Sequence, residues 1–357
     1  DRHMSALFTP LKLRDTEFPN RVWVSPMCQY MATDGHVGPW HSAHLGALAT
    51  GAPGMIMVEA TGVTPQGRIS IGCPSIEDDA HAMSFKPMID FAHSLNVKMG
   101  IQLAHAGRKA STMRPWDDHR MASIEEGGWQ AVSSSATAFE GYPIPRELTT
   151  AEIKEITEHF ATAAARAVKV GFDVIEIHAA HGYLMHQFYS PLMNHRTDEY
   201  GGSFENRIRF LLETTKAVRN AIPATTPLMV RISATDWADN GWNLIDSIEL
   251  CTQLKTLGVD LIDVSSGGAI HNAKIDAKPN FQVPFASAIR TEANIPTAAV
   301  GLITEPEQAE HIIATGEADA VFLARAMLRN PRWALMASEK LGHRIDWALP
   351  LDRGRTV

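Results

Sequence analysis

His178, His181 and Tyr183 lie close together at the end of an apolar run, Phe172-Asp173-Val174-Ile175-Glu176-Ile177-His178-Ala179-Ala180-His181-Gly182-Tyr183. Two imidazoles can donate to an oxygen that gains negative charge, and a phenol can deliver a proton. A histidine pair three apart could also ligate a metal. Zinc, however, needs at least a third protein ligand, and the sequence has no HExxH motif or paired-cysteine cluster, so no metal is expected. A third reading, satisfied core histidines with the tyrosine as packing, stays open on these residues alone.

The run that carries them reads as a strand. Val174, Ile175 and Ile177 give the β-branched enrichment of a buried strand, and Gly182 marks a tight exit. The same arrangement recurs along the chain. Gly51-Ala52-Pro53-Gly54 precedes Met55 to Val58, Gly171 precedes Val174, Gly258 precedes Leu261 to Val264, and Gly316 precedes Ala320 to Leu323. A helix closing on a glycine, followed by a wholly apolar strand, is the helix-to-strand junction of a parallel sheet. Asp173, Asp260 and Asp319 stand at the start of three of these strands.

The full set of expected strands is Val22 to Val24, Met55 to Glu59, Lys98 to Leu103, Val174 to His178, Leu228 to Ile232, Leu261 to Ser265, Thr297 to Val300 and Ala320 to Leu323. Thr149-Thr150-Ala151-Glu152 is a capping box that opens a helix with Ile153, Ile156, Phe160, Ala163 and Ala167 on one face. Ser203 can cap a second helix that stops before Pro223. Eight such units point to an α/β fold, a (β/α)8 TIM barrel in a single domain over residues 4–357, with a doubly wound open sheet as runner-up. Residues 104–146, between the third and fourth strands, are rich in Gly, Pro, Trp and charge and are expected to cap the barrel mouth. Residues 349–357 read as a C-terminal tail, and Asp1-Arg2-His3, before Met4, as an appendage foreign to the protein.

Composition narrows the function. A chain of 357 residues with 45 % hydrophobic content can bury a large core. With 32 basic and 40 acidic residues, net charge −8, it carries no electrostatic footprint for nucleic acid or an anionic membrane. Cys28, Cys73 and Cys251 form no CxxC spacing, which excludes an iron-sulfur cluster and a disulfide framework and suits a reducing compartment. No apolar run approaches the roughly 18 residues of a membrane span and no signal sequence is evident, so a cytoplasmic protein is expected.

In a barrel the active site lies at the C-terminal ends of the strands. Those ends read Ser25-Pro26-Met27-Cys28-Gln29-Tyr30, Glu59-Ala60, Gln102, His178, Arg231, Ser265-Ser266-Gly267-Gly268, Gly301-Leu302-Ile303-Thr304 and Ala324-Arg325. Gly301 and Arg325, after the last two strands, suit a phosphate. Gln102 offers a donor and an acceptor to a pyrimidine-like ring edge, and Arg231 a charge that cannot be neutralised. A flavin meets all three needs, including a cation facing the ring edge that becomes anionic on reduction. No glycine-rich dinucleotide fingerprint follows the first strand, so a nicotinamide cofactor is not held in the Rossmann manner.

From about Leu7 to Arg355 the chain resembles the old yellow enzymes, FMN-dependent ene-reductases. The motifs that carry the resemblance are Ser25 to Tyr30, Gln102-Leu103-Ala104-His105-Ala106-Gly107-Arg108, His178 to Tyr183, and Asn194-His195-Arg196-Thr197-Asp198-Glu199-Tyr200-Gly201-Gly202-Ser203 with Asn206-Arg207. Cys28 with Tyr30 is similar to the thermophilic-like subgroup, which includes xenobiotic reductases. The resemblance implies that Ser25, Pro26, Met27, Ala60, Gln102 and Arg231 line the flavin ring, that Gly301, Ala324 and Arg325 hold the FMN phosphate, and that Cys28 lies against the ring and tunes its potential. It implies that His178 and His181 bind the carbonyl oxygen of an α,β-unsaturated substrate, that Tyr30 helps position it, and that Tyr183 protonates the α-carbon. NADPH or NADH would reduce the FMN, which passes hydride from N5 to the β-carbon. A homodimer or homotetramer is expected, with Arg353 reaching a neighbouring subunit's site, although no tryptophan stands beside Arg353 as in some relatives.

Three other functions compete. A 2,4-dienoyl-CoA reductase would need an iron-sulfur cysteine cluster and a further nucleotide-binding domain. A non-redox phosphate-binding barrel, an aldolase or isomerase, would leave Gln102 and Arg231 without purpose and lacks a barrel-end lysine for a Schiff base. A flavin-storing protein without turnover is disfavoured only by the intact His178, His181 and Tyr183.

Overall fold

The computed structural model describes residues 4–118 and 120–356. The sequence readings for Asp1 to His3 and for Val357 lie outside the described residues. Strands β1 (Val22–Val24), β2 (Met55–Gly62), β3 (Lys98–Ala104), β4 (Val174–Ala179), β5 (Leu228–Ser233), β6 (Leu261–Ser265), β7 (Thr297–Val300) and β8 (Ala320–Leu323) pair in that order, all parallel. The ring closes where Leu323 of β8 pairs with Val24 of β1, so the fold is the (β/α)8 TIM barrel and the open sheet is set aside. The strands β1, β6, β7 and β8 match the expected bounds, while β3, β4 and β5 each run one residue further. The β2 strand continues to Gly62 past a register shift between Val58 and Thr61.

The aspartates at the strand starts set register. Asp173, Asp260 and Asp319 donate their own N–H to the carbonyls of Met99, Leu228 and Thr297, at 2.7, 2.8 and 2.8 Å. Their Oδ2 atoms then accept the N–H of the same three residues, at 2.8, 2.9 and 2.9 Å. Each aspartate thus closes a two-way link to the preceding strand, which a one-residue slip would break. The preceding helices end at Gly171, Gly258 and Gly316 with φ of +122°, +99° and +73°, which only glycine adopts without strain. Gly51 differs: its φ is −84°, and what demands glycine is space, since a Cβ there would lie 2.1 Å from the carbonyl oxygen of Pro331.

The helix Thr150–Val170 opens on the expected capping box, with Thr149 Oγ1 accepting from Glu152 N at 3.1 Å and Glu152 Oε1 accepting from Thr149 N at 3.0 Å. The helix Phe204–Ala221 is likewise capped by Ser203. At the opposite end of the barrel from the active-site loops, a hairpin of Leu11–Leu13 and Thr16–Phe18 plugs the opening. Leu13 and Phe18 pack there with Trp23, Met57, Met229 and Phe322 in one buried cluster. Among the described residues no helix is long and apolar enough to cross a membrane.

The insertion after β3 is tied down by the last of the sequence motifs. Arg196 Nη1 donates to the carbonyls of Ser134 and Leu148 at 3.0 and 2.6 Å, and His195 N donates to Ser135 Oγ at 2.8 Å. Asp198 holds Arg196 in place, Nη2 to Oδ2, at 2.6 Å. The Asn194-to-Ser203 motif is therefore a strut for the insertion rather than part of the reacting centre.

Candidate active site

The β4 strand delivers His178 into the barrel mouth, and the turn after it brings His181 and Tyr183 alongside. The His178 ring lies edge-on to both, with centroids 5.4 Å from His181 and 5.0 Å from Tyr183. The turn demands its own residues. His181 and Gly182 have φ of +59° and +75°, and a Cβ on Gly182 would sit 2.0 Å from the carbonyl oxygen of Gly268. Two strand-end loops are thus pressed together with room for glycine alone.

A backbone hydrogen bond fixes the tautomer of His178. The Ala180 N–H donates to His178 Nδ1 at 3.2 Å, so Nδ1 is bare and the proton of a neutral ring sits on Nε2, free to donate. His181 Nε2 pairs with Ser265 Oγ at 2.6 Å, and its backbone N–H with Ser233 Oγ at 2.9 Å. Burial, reinforced by like charge including Arg231 and Lys109, pushes both imidazoles well below the ordinary histidine range, so both are neutral near pH 7. Burial pushes the Tyr183 phenol well up, which keeps it protonated and able to donate. The metal reading of the pair finds no third ligand among the described residues. The group Glu77, Asp78 and His81 is the one cluster of ligating type there, and both nitrogens of His81 are engaged, with Asp78 Oδ1 at 2.7 Å and the Asp34 carbonyl at 2.9 Å.

The remaining strand ends gather around this centre. Tyr30, in the left-handed region at φ +57°, stands edge-on to Trp116 of the insertion at 6.0 Å. Cys28 and Tyr30 pack with Ala60, Cys73 and Tyr183 in one apolar cluster. Cys28 packs in this cluster with Cys73 although the two are distant in the chain, and Cys28 together with burial pushes the Cys73 thiol well up. Gln102 Nε2 donates to Glu176 Oε1 at 2.9 Å, and Arg231 Nη2 donates to Ser25 Oγ at 2.9 Å. Pro26 and Met27 follow Ser25 on the same loop.

Next to these groups, a cavity of about 410 Å³ is lined by Phe281, Gly301, Thr304, Ala324, Arg325 and Arg329 among others. Arg325 is exposed at its mouth. Gly301 has φ +107°, and a Cβ there would lie 2.6 Å from Gln282 Nε2. A cationic mouth and a glycine wall suit a phosphate, and the amide, hydroxyl and guanidinium of Gln102, Ser25 and Arg231 suit a ring with polar edges, so the donor set fits FMN.

A family model described as NADH:flavin oxidoreductase / NADH oxidase matches residues 6–343. The chain belongs to this family, that of the old yellow enzymes. It is 46 % identical over 353 residues to an NADPH dehydrogenase of Geobacillus thermodenitrificans, with 98 % of each chain covered. Among solved structures it is similar to morphinone reductase, with TM-score 0.80 and 26 % identity over 96 % of this chain and 91 % of the other. A 2-naphthoyl-CoA reductase shares the fold, with TM-score 0.86 and 23 % identity, and this chain spans 52 % of its length. As an old yellow enzyme the protein is an FMN-dependent NAD(P)H oxidoreductase, and the non-redox aldolase or isomerase is set aside.

Sequence reasoning missed three groups in this old yellow enzyme's site. Lys109, one residue past the second motif, is half-buried and donates Nζ to the carbonyls of His181 and Gly268 at 2.7 and 3.2 Å, locking the two pressed loops. Burial, with Arg108 adding to it, pulls this ammonium down to about 8. Glu176 and Asp263 point into the barrel and were read only as strand residues. A carboxylate in the middle of an apolar strand was the available signal, because an unpaired charge there is not tolerated. Arg353 is exposed in the 3-10 turn Leu349–Gly354 and, among the described residues, makes no contact with the His178, His181 and Tyr183 cluster.

Proposed function

We propose that the protein reduces the C=C bond of α,β-unsaturated carbonyl compounds, with NADPH or NADH as the electron source and FMN as the carrier. The observation that carries this reading is a neutral His178 whose Nε2–H is free, set beside His181 and a protonated Tyr183. When bound, FMN supplies hydride to the substrate β-carbon. The chain's own groups do the rest. His178 and His181 hold the carbonyl oxygen and stabilise the negative charge that develops there, and Tyr183 gives its proton to the α-carbon. Tyr30 bounds the substrate from the other side, and the insertion, through Trp116, caps the mouth and excludes water. Ser25, Pro26, Met27, Ala60, Gln102 and Arg231 contact the ring, with Cys28 beside it, while Gly301, Ala324 and Arg325 take the phosphate.

The test is an anaerobic visible spectrum of the purified protein before and after NADPH, then after 2-cyclohexenone. A flavin band that bleaches and then returns supports the reading. A yellow protein that bleaches and does not recover removes the enone assignment and leaves the flavin.

The reading includes a cytoplasmic homodimer or homotetramer in which Arg353 serves a second copy's site. Deleting the residues after Leu349 then raises KM for the enone while FMN content holds. Wild-type kinetics in the truncated protein would remove Arg353 from the site.

A further inference from the structure

Below the ring-contacting atoms, β3, β4, β5 and β6 turn Gln102, Glu176, Arg231 and Asp263 toward one another. Glu176 and Asp263 are wholly buried. Each gives one oxygen to a donor: Glu176 Oε1 to Gln102 Nε2 at 2.9 Å, and Asp263 Oδ2 to Arg231 Nε at 2.5 Å. Glu176 Oε2 and Asp263 Oδ1 have no partner. Two carboxylates against one guanidinium in a dry interior leave a surplus negative charge, the arrangement that proteins avoid by protonation. Both carboxyls converge on one nitrogen, Arg231 Nε, with Asp263 Oδ2 at 2.5 Å and Glu176 Oε1 at 3.8 Å. One proton between them therefore supplies the missing donor, satisfies both orphaned oxygens and brings the cluster to neutrality.

We propose that Glu176 and Asp263 share a single proton, carried on Glu176, and that this neutral Glu176 leaves the charge of Arg231 available to the FMN ring. Glu176 is the carrier because Arg231 Nε lies 2.5 Å from Asp263 but 3.8 Å from Glu176, so the guanidinium stabilises the Asp263 anion first. Burial pushes Glu176 well above the ordinary carboxylate range and Asp263 upward with it. The groups that face the cluster are Arg231, Gln102 and Cys28, together with His178 and His181, both held neutral. An ionised Glu176 would make the cluster net negative and oppose the electrons taken up by the ring. That second clause rests on the FMN reading above, whereas the shared proton does not.

Infrared spectroscopy on the wild-type protein at pH 7 tests the proton. A carbonyl stretch of a protonated carboxyl is expected, shifting in deuterium oxide and absent from Glu176→Gln, with or without FMN. If no such band is found in the wild type, the proposal is overturned, and this needs no variant to fold. The midpoint potential of bound FMN tests the consequence. Gln is neutral like protonated Glu, so Glu176→Gln should change the ratio of reduced to oxidised FMN affinities less than about threefold. Asp263→Asn leaves one carboxyl against one guanidinium, so Glu176 is then expected to ionise and the infrared band to be lost, whereas removing a standing anion would raise the ratio at least about tenfold, about 30 mV for two electrons. An increase of that size in Glu176→Gln overturns the proposal by making Glu176 ionised. If the protein takes up no FMN, the function reading fails while the infrared result still decides the shared proton.

Discussion

Replacing Tyr183 with Phe slows reoxidation of the reduced protein by 2-cyclohexenone by about 10²- to 10⁴-fold, the range for loss of a positioned proton donor, while bleaching by NADPH proceeds. The separation follows from geometry. Tyr183 adjoins His178 at 5.0 Å and is pushed up by burial, so it stays protonated and serves only the step that needs a proton. Phe keeps the ring and its packing with Cys28 and Ala60. Rapid-mixing kinetics of the two half-reactions decide the matter. Equal losses in both would mean that the residue supports the flavin or the fold and is not the donor.

The second large effect is expected at the histidines. His178→Ala and His181→Ala each lower the rate of enone reduction by about 10²- to 10³-fold, the usual consequence of removing one donor to a developing oxyanion, and each weakens phenol binding. Titrating the flavin spectrum with a phenol reads the affinity directly, and unchanged affinity would take the pair out of the carbonyl site. The sign of the pH dependence also follows. Both imidazoles are held below their unfolded value of about 6.5, and burial lowers His44 and His105 to about 4 in the same way. Above pH 6.5 neither folded nor unfolded chain protonates these rings. As pH falls below 6.5 the unfolded chain binds protons that the native state refuses, so stability declines toward the depressed values. Melting temperatures measured from pH 8 to 5 should fall on the acid side of about 6.5, and a flat profile would contradict neutral burial of the four rings.

The barrel was legible because its junctions repeat. A glycine, an aspartate and an apolar run mark β4, β6 and β8, and the aspartates turn out to bind the neighbouring strand at 2.8 to 2.9 Å. His178, His181 and Tyr183 were legible because one short turn carries all three. Other groups depend on pairing across the ring, which spacing in one strand does not reveal. Glu176 and Asp263 reach the same Arg231 Nε from strands two apart, and Lys109 meets His181 across a distance of 72 residues in the chain. The plugging hairpin escaped because its strands have three residues each, too few for an alternation to register. The Asn194-to-Ser203 motif was legible as a family motif but not in its purpose, which is to support the insertion through Arg196.

The seam between β1 and β8 has a consequence during synthesis. Val24 finds its partner in Leu323, nearly the whole chain later, so β1 leaves the ribosome with one edge that nothing can cover until translation is almost finished. At about 5 to 20 residues per second, the intervening 300 or so residues take on the order of 15 to 60 seconds. For that interval the β1 edge that Leu323 will cover has no partner, and an unpaired strand edge is a template for joining another copy of the chain.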